Sequence, residues 1–154
     1  MTRHPGLLIV IADGAHARFV RVAADGGLHT ASSVDSAVAQ KRASDLISDR
    51  PGAAFHSNAS AHHALSPRSD PHAVAEQAFA RLVAAEIGAA CDQKAFDELL
   101  LAAPPRLLNV IRDRLGAACA ARLVGTLGKD LTKTPDDALR PHLRHWLDAP
   151  PRAG

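Results

Sequence analysis

Six consecutive apolar residues, Leu7-Leu8-Ile9-Val10-Ile11-Ala12, form the first patterned segment of the chain. A run of strand length, rich in β-branched residues and without a polar break, predicts a strand covered on both faces. Asp13-Gly14-Ala15-His16 interrupts it, and residues 17–22, Ala-Arg-Phe-Val-Arg-Val, predict a second strand. Asp25-Gly26-Gly27 is a turn signal before a third strand over 28–34. Connections this short imply an antiparallel meander. Asp70-Pro71 then opens a helix, with Asp70 as cap and Pro71 at the first helical position, where no amide donor is needed. Val74, Ala78 and Leu82 beside Phe79, Val83 and Ile87 supply adjoining stripes at helical spacing. Residues 97–103 predict a second buried strand, stopped by Pro104-Pro105. The next helix carries Leu107, Leu108, Ile111 and Leu115, with Gly116 near its end. Residues 120–127 predict the last strand. Thr134-Pro135-Asp136-Asp137 repeats the capping pattern ahead of a terminal helix striped by Leu139, Leu143, Trp146 and Leu147, which Pro150-Pro151 ends.

The resulting order is three strands, a long polar stretch, then helix, strand, helix, strand, helix. Strands separated by helices lie parallel, with the helices on the faces of the sheet. The expected fold class is therefore α/β: a three-layer α/β/α domain with a mixed five-stranded sheet, an N-terminal antiparallel meander and a ribonuclease-H-like organisation. Residues 7–12 should form its centre and 99–102 their parallel neighbour. Residues 1–154 read as one domain. The stretch 36–70 has few large apolar residues, and a loop of that length in a small domain is uncommon and often functional. A short helix is expected near 40–47. Its backbone ordering cost of about 1–2 kcal/mol per residue is not obviously met by burial, so 52–66 is expected to order only on a partner.

Composition bounds the function. The chain has 154 residues, 47% hydrophobic and 22% charged, as folded soluble domains do. A net charge of +2 with neither half polarised is not by itself a nucleic-acid footprint. Aromatic residues are 3%, with no Tyr, which disfavours a site that stacks several bases or sugars. Two cysteines, Cys91 and Cys119, make neither a disulfide framework nor a four-ligand metal site, and fit reduced core thiols. The first apolar run is too short to cross a bilayer and lacks a cleavage pattern, so a cytoplasmic protein without membrane contact is expected.

Candidate chemistry is sparse. Neither glycine-rich nucleotide fingerprint occurs, and Gly125-Thr126-Leu127-Gly128-Lys129 reads as a strand end and turn. Asp13 closes the first strand, where ribonuclease-H-like nucleases hold metal. Two-metal chemistry needs several converging carboxylates, and Asp25 and Asp130 are expected to be distant turn residues. Asp13 is instead expected to satisfy amides of the Gly14 turn. His56, His62, His63 and His72 match no zinc signature, so solvated histidines are expected and no metal or cofactor is assigned. His142 and His145 are expected near a helix C-terminus. Arg106, Arg112, Arg114 and Arg122 bracket one helix, with Lys129 and Lys133 after the last strand. If these share a rim with Arg42, Arg50 and Arg68, the rim attracts phosphate. The residues singled out for RNA or phosphate are Arg42, Arg50, Arg68, Arg106 and Lys129. Those singled out for a loop site are His56, Asn58 and His63, with His56 or His63 as a base and Asn58 steadying an oxyanion. No catalytic residue is assigned.

Five blocks in order carry a resemblance. They are Ile11-Ala12-Asp13-Gly14-Ala15-His16-Ala17-Arg18; Asp49-Arg50-Pro51-Gly52-Ala53-Ala54-Phe55; Asp70-Pro71-His72 leading to Phe79-Ala80-Arg81; Leu101-Ala102-Ala103-Pro104-Pro105-Arg106-Leu107-Leu108; and Gly128-Lys129-Asp130-Leu131-Thr132. Through them the chain resembles the host attachment protein family, which is similar to the middle domain of archaeal and eukaryotic peptide-release factors and of Pelota. That resemblance implies a ribonuclease-H-like fold and contact with the ribosome, tRNA or rRNA. The Gly-Gly-Gln loop that enters the peptidyl-transferase centre is missing, since Leu28 follows Gly26-Gly27. Release activity is therefore not carried over. The leading expectation is a ribosome- or structured-RNA-associated module. The alternatives are a protein-interaction or regulatory module with a protein partner, and a hydrolase of peptidyl-tRNA-like esters. The sequence leaves enzymatic activity and oligomeric state open.

Overall fold

The computed structural model describes residues 6–37 and 70–149. The elements are β1 (Leu7–Ala12), β2 (His16–Val22), β3 (Leu28–Asp35), α1 (Pro71–Asp92), β4 (Glu98–Ala102), α2 (Pro105–Arg114), α3 (Ala117–Ala120), β5 (Leu123–Leu127), a 3₁₀ turn (Asp136–Ala138) and α4 (Arg140–Leu147). The sheet order is β3-β2-β1-β4-β5. β1 pairs antiparallel with β2 and parallel with β4, β2 pairs antiparallel with β3, and β4 pairs parallel with β5. The meander, the central β1 and its parallel neighbour are as the sequence pattern predicts.

The unbroken apolar run of β1 follows from its two covered faces. Leu8, Val10 and Ala12 pack with Leu99 and Leu101 of β4 under Phe79, Val83 and Ile87 of α1 and Leu107, Leu108 and Ile111 of α2. Leu7, Ile9 and Ile11 pack with Leu100 and Ala102 on the other face, under Leu139, Leu143 and Leu147. Successive side chains of a strand point to opposite faces, so each needs its own cover. The helices on the two faces give the three-layer α/β/α architecture.

Asp70 caps α1 as expected, its carboxylate accepting the His72 amide at 3.0 Å. Phe79, Val83 and Ile87 are buried against the sheet, whereas of the second stripe only Leu82 packs on the core, and Val74 and Ala78 are exposed. Two further expectations are corrected. The last strand, expected over 120–127, begins only at Leu123, since Ala120 closes the short helix α3 and the pairing with β4 starts at Leu99 opposite Leu123. Thr134-Pro135-Asp136 does not cap the terminal helix, since neither the 3₁₀ turn nor α4 has a side-chain cap. The Asp136 carboxylate is drawn instead to Arg18 and Thr30.

β2 and β3 shift register between Phe19 and Val20: Phe19 faces Ser32, but Val20 faces Thr30. Ala31 is therefore the extra residue of a bulge. Because the side-chain period is two, this single insertion puts both Ser33, opposite Arg18, and Thr30, opposite Val20, on one face of the sheet.

Candidate functional site at the carboxyl edge of the sheet

β1 leaves the sheet toward β2 on one side, and β4 leaves toward β5 on the other. The chain thus diverges between the carboxyl ends of β1 and β4, the crevice where open α/β sheets bind ligands. Asp13-Gly14-Ala15-His16 follows β1 and Pro104-Pro105-Arg106 follows β4. Gly128-Lys129-Asp130 follows β5, and α1 begins at the same edge. The Ser36 amide bonds the Ala15 carbonyl at 2.7 Å.

Asp13 ties this edge together. Its Oδ1 accepts the amides of Ala15 at 2.7 Å and His16 at 2.6 Å, as the sequence reading expects, and lies 3.4 Å from His16 Nδ1. Its Oδ2 is 3.1 Å from the Thr132 hydroxyl, which is also 2.5 Å from Asp130 Oδ1. One hydroxyl proton thus serves two carboxylates. Asp130 is therefore not distant from Asp13, as the sequence suggested, because the segment after β5 folds back toward β1. Burial pushes the Asp13 carboxyl up, but the two amides, the Thr132 hydroxyl and the His16 ring outweigh it and hold it below the usual aspartate range.

Arg18, one strand over, fixes the same segment. Its Nη1 approaches the carbonyl oxygens of Leu131 at 3.1 Å, Thr132 at 3.3 Å and Thr134 at 2.6 Å, and its Nη2 is paired with Asp136. Thr30 donates its hydroxyl to Asp136 Oδ1 at 2.6 Å and its amide to Oδ2 at 2.9 Å. These two bonds first, then Arg18, overcome burial and lower the Asp136 carboxyl. A cleft of about 380 Å³ lined by His16, Arg18, Ser33, Asp35 and Thr132 opens above this network.

On the other side of Gly14 stands Glu76 of α1. A methyl group at Gly14 would overlap its side chain. Glu76 Oε1 accepts from Arg106 Nη2 at 3.2 Å, and Oε2 lies 3.7 Å from His72 Nε2. The exposures divide by sign. Asp13 and Glu76 keep 19% and 20% of their side-chain surface, whereas His16, Arg106 and His72 keep 63%, 68% and 81%. Around Gly14 the two acids are turned in and their donors out, whereas Asp130, farther along the edge, is exposed.

Of the sequence candidates, Arg106 and Lys129 share this edge, where Lys129 Nζ is 3.5 Å from His142 Nδ1. Arg42, Arg50, Arg68, His56, Asn58 and His63 lie outside the described residues, as do the expected helix near 40–47 and the segment 52–66. The basic residues bracketing α2 do not form one rim. α2 runs back from the carboxyl edge, so Arg112 and Arg114 sit at its far end. Arg122 precedes β5, where it donates to the Phe96 carbonyl at 2.5 Å and lies over the Phe96 ring. His72 pairs with Glu76, and among the described residues no three of His, Cys, Asp and Glu are grouped to hold a metal ion. His142 lies in the first turn of α4, not near its C-terminus. Cys91 and Cys119 are free and buried, and burial pushes the Cys119 thiol up to about 11.

The site contacts of Glu76, of Thr132 and of the Arg18–Asp136 pair are absent from the sequence reading. The local hint was a charge within a strand, and Arg21 of the same strand carries that signal equally. No helix of the described residues is long and apolar enough to cross a membrane. Comparison with curated proteins finds no match for the chain. Residues 8–143, which run from the second residue of β1 to the middle of α4 and therefore contain this whole edge, match the family described as a protein required for attachment to host cells, and the chain belongs to that family.

Proposed function

We propose that the protein is a cytoplasmic binding module that docks the carboxyl edge of β1 and β4 on structured RNA, with the ribosome as first partner. The observation that carries this reading is the division by sign around Gly14. His16, His72 and Arg106 stand out while Asp13 and Glu76 are turned in, and Lys129 is exposed beside them. A ligand approaching beside Gly14 therefore meets hydrogen-bond donors, which suit phosphate oxygens, while the exposed Asp130 already accepts from Thr132. The resemblance to release-factor middle domains favours RNA among phosphate-bearing partners. Asp13, Asp130 and Asp136 are engaged as internal acceptors, which favours a shape-holding role for them over proton transfer.

The test is cosedimentation of the full chain with ribosomes at about 50 and about 200 mM salt, across which phosphate contacts weaken steeply. Association should fall with salt, and Arg106→Ala and Lys129→Ala should each reduce it at low salt. Absence of salt-sensitive association with any RNA removes this reading. A stoichiometric protein partner that survives nuclease treatment would favour the protein-interaction class.

A further inference from the structure

Glu76 is out of place on an edge built to receive phosphate. Among the described residues it is the carboxylate paired with both Arg106 and His72, and three elements converge on it. The Gly14 turn lies flush against it, α1 supplies it together with His72, and the first turn of α2 supplies Arg106. Glycine at position 14 is what allows the side chain to lie there, since any Cβ would collide with it. Its hold on Arg106 is a single contact at 3.2 Å from one guanidinium nitrogen, on a side chain 68% exposed. A one-point pair of that exposure contributes little to stability. A phosphodiester offers two oxygens in the spacing that a guanidinium binds bidentately, a stronger arrangement.

We propose that Glu76 is a stand-in for a phosphate: it holds Arg106 and His72 at the β1–β4 crevice in the free protein and gives way to an RNA phosphodiester on binding. This rests on the reading of the edge as an RNA-docking surface and adds how that surface is regulated. Exchange frees one cation for one phosphate, so Glu76 lowers affinity and confines binding to RNA that can displace it.

The experiment measures anisotropy of labelled unacylated tRNA with the full-length protein at about 50 to 200 mM salt. Glu76→Gln keeps the size and removes the charge. It should tighten binding by about two- to fivefold, the worth of one exposed charge contact, and leave the log–log salt slope unchanged, because the bound wild type already makes that phosphate contact. Asp113→Asn makes the same charge change near the far end of α2 and should leave both quantities unchanged. In the Arg106→Ala background the Glu76→Gln gain should vanish. If wild type binds and Arg106→Ala weakens it, but Glu76→Gln is neutral or weaker, the stand-in role is overturned while the docking surface remains. An equal gain from Asp113→Asn also overturns it, as a general charge effect. If neither wild type nor Glu76→Gln binds with salt sensitivity, the docking reading itself falls and takes this inference with it.

Discussion

Lys94 holds the left-handed conformation that ends α1, with φ of 56°. Its amide bonds the Cys91 carbonyl at 2.9 Å and the Ala95 amide bonds Ala90 at 2.9 Å, the paired bonds of a Schellman cap with Lys94 where glycine is usual. A side chain there is strained, so Lys94→Gly should stabilise the protein by about 0.5–1 kcal/mol in urea unfolding. A lower midpoint would show that the lysine side chain matters more than its backbone. Asp136 and Asp13 make the other residue-scale statement, because both carboxyls are held below their ordinary range in the folded state. A depressed folded pKa contributes stability that is complete above the unfolded value of about 3.9 and is lost as pH falls through the folded value. Asp136→Asn should therefore be less stable than wild type at neutral pH, with the gap narrowing below pH about 4. A gap of constant size in urea midpoints from pH 7 to pH 3 would mean that the ionised carboxylate is not what Thr30 and Arg18 bind.

At the scale of elements, β5 and α4 meet at Gly125, where a side chain would overlap the indole of Trp146. Trp146 is the single tryptophan, so its emission reports this contact alone. Gly125→Ala should push the ring outward, shift emission to the red and cost about 1–3 kcal/mol, the usual price of overpacking. Unchanged emission would mean the helix slides without loss. The pattern of Leu139, Leu143 and Leu147 predicted the buried stripe of α4, and Phe79, Val83 and Ile87 that of α1, because helical spacing puts such residues on one side. The second stripe of α1, Val74, Ala78 and Leu82, was equally periodic, yet only Leu82 packs on the core, since periodicity shows that a face is apolar and not that another element reaches all of it. Likewise the bulge at Ala31 leaves no mark in the run Leu28–Asp35, where threonine, serine and alanine suit either face.

At the scale of the whole molecule, Arg18 connects β2 to the segment 131–136, which crosses from β5 back over the sheet. Its side chain is 14% exposed. Arg18→Ala would leave three carbonyls and the Asp136 carboxylate without it, and should destabilise by about 2–4 kcal/mol in urea. Arg18→Lys should recover only part of this, because an ammonium cannot span the Thr30, Thr134 and Asp136 positions together. Full recovery would reduce the network to simple charge pairing. The same network explains what could and could not be read in advance. The sequence by itself determined the sheet: the run Leu7–Ala12, the turn at Asp25-Gly26-Gly27, the Asp70-Pro71 cap and the prolines after β4 act over a few residues, where sterics and local hydrogen bonds dominate. It also placed Asp13 against the amides of its own turn, a bond between residues two and three apart. Only the tertiary structure decided that Thr132 joins Asp13 to Asp130, that Asp136 abandons a helix cap for Arg18 and Thr30, and that Glu76 reaches Gly14 and Arg106. Apart from the Thr132–Asp130 bond, these contacts span 30 to 119 positions. A polar side chain bonds whichever group the folded sheet brings within about 3 Å of it, and that neighbour is set by strand order and crossing segments, not by nearby sequence.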